Sequence, residues 1–366
     1  MGRKLLARAS LAILTTFLFW EFAFLKKTDA QEGSFPSHVQ TKTVDSGNIH
    51  IDRIYGSMIG PMKMKRFKIT DQPKEELIWL TSAKINTVDK QDNAISDKYL
   101  CHINLDVKVK AQVFDQQNNI MRVVDTGKNF MDLTQGLPEI EFPRGFAIPF
   151  LTTDWIVFHA MALNNQPVQE PFDIKFKANF NYVYDHDLEG PTKALGMSFS
   201  NVFVPALHPN CPPHFMGEVQ YECGVYRADE SGKEMNLHWS VPPGRHTYRH
   251  SPDNGVNIPF NTTVHYIAMH VHPYAESMEL VDLTTNETIF KGNVRHYPNN
   301  EDIEKLDVYS SEQGIALYRD HKYEIISVYN NITEKDIDAM AVLYVYYWDK
   351  EFDKNIDRDK LVEGLF

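Results

Sequence analysis

Fifteen His and thirteen Met stand against three Cys in this 366-residue chain, so its metal-capable side chains are mostly imidazoles and thioethers. Their most informative spacing falls in Val264–Met278, which reads VHYIAMHVHPYAESM. Successive side chains of a strand point to opposite faces, which puts His270 and His272 on one face and Ile267, Met269 and Val271 on the other, a core face. Two imidazoles about 7 Å apart on one strand face can reach a single metal ion. Hydrogen-bonded or surface histidines would give the same spacing. A second segment, DIDAMAVLYVYYW over Asp336–Trp348, is a strongly apolar strand with Met340 near its start. A strand Met is ordinarily packing; beside two His its soft thioether would select copper.

The elements that must position these residues read as short strands. Leu77–Leu80, Tyr99–Val109, Trp155–Ala162, Ile174–Tyr184, Val264–Val271, Tyr323–Val328 and Ala339–Trp348 are rich in β-branched and aromatic residues. Gly, Pro, Asn and Asp clusters separate them, and no stretch sustains a helical period. The prediction is an all-β chain of two antiparallel jelly-roll or β-sandwich domains in series, over residues 45–190 and 195–352. Residues 353–366 are a charged tail. Residues 1–30 carry Arg3, Lys4 and Arg8 before an apolar stretch from Leu11 to Leu25, the order of a secretory signal or an uncleaved signal-anchor. The body is therefore expected to be exported, periplasmic or secreted, with membrane contact only through that segment.

The pairing of HVH with DAMAVLYVYYW roughly seventy residues later resembles the catalytic domain of the copper type II ascorbate-dependent monooxygenases, the family of peptidylglycine α-hydroxylating monooxygenase. The VPPG stretch, Val241–Gly244, falls where that family has a similar turn before its His strand. The similarity covers about residues 238–350. It implies two jelly rolls, a copper ion on His270, His272 and Met340 that activates oxygen, a small-molecule substrate, and electrons from ascorbate or another small reductant.

The first half departs from the pattern. The family's second copper uses an adjacent His-His pair and a more distant His. The counterparts here are Cys101-His102 in KYLCHINLDV and Met161 in WIVFHAMALNN, with His159 two residues earlier on the same face. Cys101, His102, His159 and Met161 either hold a second, soft copper site or are core residues of a decayed one. One copper ion is expected, and two if that set binds. His246 and His250, just beyond VPPG, are candidates to orient a ligand ring. Cys211 and Cys223 lie close together in a Pro-rich loop and suit a local disulfide, leaving Cys101 over.

Two other readings compete. His270-x-His272-x3-Glu276 matches the first half of a cupin metal motif, although its PPG turn at 242–244 precedes the His pair. Alternatively, the protein binds copper without catalysis, or is structural. The formal charge of −12 argues against nucleic acid and against anionic membrane surfaces. There is no Gly-x-Ser-x-Gly elbow. Cys101 and His102, as strand neighbours, should point apart and so form no nucleophile–base pair.

Overall fold

The computed structural model describes residues 38–355, apart from residues 58, 116–119, 206–213, 217–218, 222–226, 229–233, 252–255 and 299–300. The N-terminal segment, the Cys211–Cys223 pair and the last eleven residues lie outside the described residues. Side chains of residues 109–127 and 206–234 likewise lie outside the described part.

The chain folds almost entirely as β-structure, because two-residue alternation runs through its strands. In Ile156–Ala162, Ile156, Phe158, Ala160 and Ala162 are all fully buried on one face while His159 on the other is half-buried. That strand belongs to a four-stranded sheet ordered Met62–Phe67, Ile156–Ala162, Leu100–Asp115, Ile120–Thr134. The opposing layer is part of a ten-stranded sheet containing Gln40–Asp45, Phe172–Tyr184, Leu77–Asp89 and Phe146–Leu151. Phe67 stacks on Phe180 at 5.1 Å between ring centroids, and Phe130 meets Phe150 at 4.8 Å, closing this sandwich.

The same ten-stranded sheet continues into the second half. Lys193–Asn201 pairs in parallel with Phe146–Ala147 and then antiparallel with Ala341–Trp348, which pairs with Thr262–Val271, itself flanked by Tyr309–Leu317. A five-stranded sheet, Gly244–His250, Tyr323–Asn331, Ala275–Asp282, Glu287–His296 and Ile303–Leu306, covers one face. Ile267, Met269 and Val271 point into that core, as the alternation predicts. One helix, Lys350–Asn355, follows the last strand. Among the described residues, no helix is long and apolar enough to cross a membrane.

The other face of the second half's strands is not left to solvent. Tyr266, Ala268 and His270 stand opposite Tyr346, Tyr344 and Val342 in register, and this row packs against the first sandwich. Phe142 meets Tyr266 at 5.7 Å and Tyr346 at 5.0 Å, and Phe146 stacks on His265 at 3.7 Å. Polar ties fix the two halves at one end of this seam. Gln135 accepts from the Ile303 amide at 2.9 Å and donates to the Lys98 carbonyl at 2.7 Å. The next residue, Gly136 (φ +79°), accepts from the Leu306 amide at 2.9 Å. A Cβ there would sit 2.5 Å from Ile303 Cγ2, so the close approach requires glycine.

Asp132 is a buried carboxyl in the seam. Asn129 Nδ2 donates to it at 2.9 Å, and Tyr344 from the second half also hydrogen-bonds to it. Burial, with a smaller push from Asp106, lifts its pKa to about 7 against the opposing hydrogen bonds. The folded state therefore holds a proton that the unfolded chain releases near its ordinary carboxylate value. Its contribution to stability is lost as pH rises from about 4 to 7 and then levels off. Asp132→Asn removes that titration. Denaturant unfolding at a series of pH values should show the variant gaining stability relative to wild type across this window, with a flat difference above it.

Candidate metal centre

Three chain segments end at one point. Thr262–Val271 pairs with Ala341–Trp348, the last registered pair being Val271 with Ala341. Trp239–Val241 pairs with Ile337–Ala339, its first pair being Trp239 with Ala339. Met340 is the single residue between the two ladders, so the strand changes partners there. One step beyond each ladder are His272 and His238, the two residues that the extended registers set opposite Met340.

Asp338, two residues before Met340, collects both imidazoles. His272 Nδ1 lies 2.7 Å from Asp338 Oδ2, and His238 Nδ1 lies 3.6 Å from Asp338 Oδ1. Donor atoms of His238, His272 and Asp338 all fall within 4.8 Å of one another. The His272 ring is 5.3 Å from that of His238 and 5.4 Å from that of His270, which in turn meets His102 of the first half at 6.0 Å. Four imidazoles and a carboxylate thus form a chain of contacts through the seam. Its openness changes along its length. The side chains of Asp338 and His238 are 28% and 14% exposed, whereas that of His272 is 1% exposed.

Burial dominates the electrostatics. It lowers the His102 pKa to about 4, helped by His272, His238 and His159. It holds His270 well below the usual imidazole value, again with help from its neighbours and against the pull of Asp338. Burial alone would raise Asp338, but His272 and His238 outweigh it and keep the carboxyl strongly acidic. Neutral imidazole and ionised carboxylate are the forms that bind metals. His270 Nδ1 is buried with no hydrogen-bond partner, a group that costs about 1–3 kcal/mol unless something satisfies it.

Tyr329 fastens two of the three segments. It is fully buried, and its hydroxyl accepts from the His272 amide at 3.1 Å and donates to the Met340 carbonyl at 2.6 Å. The chain then turns away after His272 through Tyr274, at φ +68°.

The sequence-predicted residues meet different fates. His270 and His272 are neighbours, and Met340 is half-buried at the position that the extended register sets opposite His272. Asp338 and His238 were missed, although one lies two residues from Met340 and the other three residues before VPPG. Cys101 and His102 do not point apart. A bulge between Leu100 and His102 makes Cys101 an extra residue in its strand, and Cys101 Sγ lies 3.3 Å from His102 Nδ1. Cys101 packs with Met161 and Leu163 in a small buried cluster, while His159 Nε2 turns to Asp106 Oδ2 at 3.3 Å. On the sheet's outer face Met161 stands opposite His102 and packs against Cys101, so these three are neighbours, while His159 is turned toward Asp106. His246 does not orient a ligand: it is half-buried near the start of its strand, with Nε2 3.3 Å from the Pro243 carbonyl oxygen. His250 instead packs on Phe203 at 5.3 Å. Glu276, which the cupin reading needs as a ligand, is paired with Arg245 at 2.6 Å, and His296 and His321 bind the Ala275 carbonyl and Asp282. The cupin arrangement is therefore not built.

The clamp gives a direct test of how the centre is held. Tyr329→Phe removes one donor and one acceptor from a fully buried position, leaving the Met340 carbonyl and the His272 amide without that partner. The expected cost is about 1–3 kcal/mol in denaturant unfolding, with weakened metal uptake, whereas a change under about 0.5 kcal/mol would show that the clamp is idle.

No protein-family profile and no curated protein sequence matches the chain. Among solved structures it is similar to PNGase F, a glycosylasparaginase from Flavobacterium meningosepticum, at 10% identity and a TM-score of 0.33, covering 84% of this chain and 96% of that one. PNGF-II is similar at 9% identity and a TM-score of 0.30, over 84% of this chain and 65% of that one. The Sulfolobus turreted icosahedral virus structure gives 8% identity and a TM-score of 0.19, over 83% and 60%.

Proposed function

We propose that this protein is a metalloprotein that binds one transition-metal ion in the seam, at His238, His272 and Asp338, and uses it on a small-molecule substrate. The observation that carries the reading is the approach of two imidazoles to one carboxylate, at 2.7 and 3.6 Å, in a largely buried group. Two His and one carboxylate are a donor set for zinc, iron or copper, and a site with an exposed edge leaves room for a substrate. Here the exposed edge is that of Asp338 and Met340, while the seam side is sealed by His270 and the aromatic row. An ion held there would supply Lewis-acid or redox chemistry. The chain's own groups hold the His272 backbone through Tyr329 and keep water from the inner side.

A second reading, favoured by Met340, is a copper monooxygenase of the type the sequence resembles. On that reading the ion is held by His270, His272 and Met340, and Asp338 orients His272 through its Nδ1, as carboxylates commonly orient ligand imidazoles. The orphaned Nδ1 of buried His270 and the register placing Met340 beside His272 both suit copper. Such a protein would be exported and would draw electrons from ascorbate or another small external reductant.

Titration of the metal-free protein with Zn(II) and Cu(II), followed by metal analysis, tests the first reading and separates the two. One ion per chain is expected, bound about 10–100-fold more weakly by Asp338→Asn and lost in His272→Ala. Met340→Leu should leave that binding intact if Asp338 is the ligand and weaken copper selectively if Met340 is. Unchanged binding in His272→Ala would overturn both readings.

A further inference from the structure

Outside the seam, one group of potential ligands has no role in either reading. Met62–Phe67, with the sequence MKMKRF, is the edge strand of the four-stranded sheet. Met62 and Met64 are 52% and 66% exposed, the only Met among the exposed large hydrophobic residues described. Their register is informative. Met64 stands directly opposite His159, and Met62 directly opposite Met161. Directly opposed residues share a face, with Cβ atoms about 4.5–5.5 Å apart, and diagonal neighbours about 7–8 Å apart. Met62, Met64 and His159 are therefore within reach of a common point on the outer face.

His159 is already oriented as a ligand would be. Its Nε2 faces Asp106 Oδ2 at 3.3 Å, leaving Nδ1 on the other side of the ring, and its side chain is 29% exposed. Asp106 also supplies a negative charge close to a bound cation. Two thioethers and one imidazole form a soft, largely neutral donor set, which disfavours Mg(II), Ca(II) and Mn(II) and suits a soft monovalent ion. Lys63, Lys65 and Arg66 already charge this open edge, so the exposed thioethers are not what keeps it from pairing edge to edge.

We propose that Met62, Met64 and His159 form a surface binding site for a soft monovalent cation, Cu(I), distinct from the centre in the seam. The site stands at the outer end of a row of donors. Met161 faces Met62 on one side and His102 on the other, and His102 meets His270 across the seam. The surface site does not depend on which residues hold the inner ion.

Anaerobic titration of the full chain with Cu(I), in competition with bicinchoninate, tests this. Wild type is compared with Met62→Leu/Met64→Leu, His159→Gln and His272→Ala. One Cu(I) should be lost, or bound about tenfold or more weakly, in the double Leu and His159→Gln proteins, and should persist in His272→Ala. X-ray absorption of that His272→Ala complex should show sulfur ligands. Because Met62 and Met64 are exposed, Leu at both positions should leave the unfolding transition unchanged, so a lost ion is not lost folding. Cu(I) binding equal to wild type in the double Leu protein, or copper without sulfur ligands in His272→Ala, would overturn the proposal. Loss of all Cu(I) in His272→Ala would overturn it too, and would leave the seam as the sole site.

Discussion

Four imidazoles and one carboxylate are packed into the joint between two β-sandwiches, and burial keeps the inner imidazoles uncharged. Charging His270 or His102 would place a cation beside three other rings with a single carboxylate to answer it, a cost that buried ion pairs seldom recover. The arrangement is stable only with neutral rings at one end and ionised Asp338 at the other. This constraint ties the two halves together. His102 comes from the first sandwich, His270 and His272 from the second, and each needs the other half to exclude water.

The fold supplies that exclusion by making one sheet serve both sandwiches. Lys193–Asn201 hydrogen-bonds to Phe146–Ala147 on one edge and to Ala341–Trp348 on the other, so the relative placement of the halves is set by backbone pairing. The aromatic row of Tyr266, Tyr344 and Tyr346 then fills the joint against Phe142. The Gln135–Gly136 turn fixes its far end against Ile303 and Leu306. Asp132 within the joint and Asp338 at its rim show two treatments of a carboxyl. The first is held near neutrality by burial with few donors, and the second is kept charged by two facing imidazoles.

Alternation made much of this legible in the sequence. It gave the all-β class, the core face of Ile267, Met269 and Val271, and the shared face of His270 and His272, since each depends only on a two-residue period. It could not give the partners of that His face. Asp338 lies in a three-residue strand and His238 just before another, the pairing of the two is decided by a long-range ladder, and Met340 marks where one strand exchanges neighbours. Nothing local in DIDAM distinguishes a ligand carboxylate from a solvated one. The bulge at Cys101 is equally silent: an inserted residue reverses the facing of its neighbour, and the expectation that Cys101 and His102 diverge failed for that reason. His246 failed differently, because a histidine near the start of its strand can satisfy itself on its own loop carbonyl.

The joint is proposed to hold an ion between His238, His272 and Asp338. An anomalous difference map from crystals of the metal-loaded protein, collected above and below the absorption edge of the bound metal, addresses it most directly. One strong peak is expected about 2.0–2.2 Å from imidazole nitrogens at this point in the seam. A map with no peak within reach of His272, in protein that carries stoichiometric metal, would contradict it.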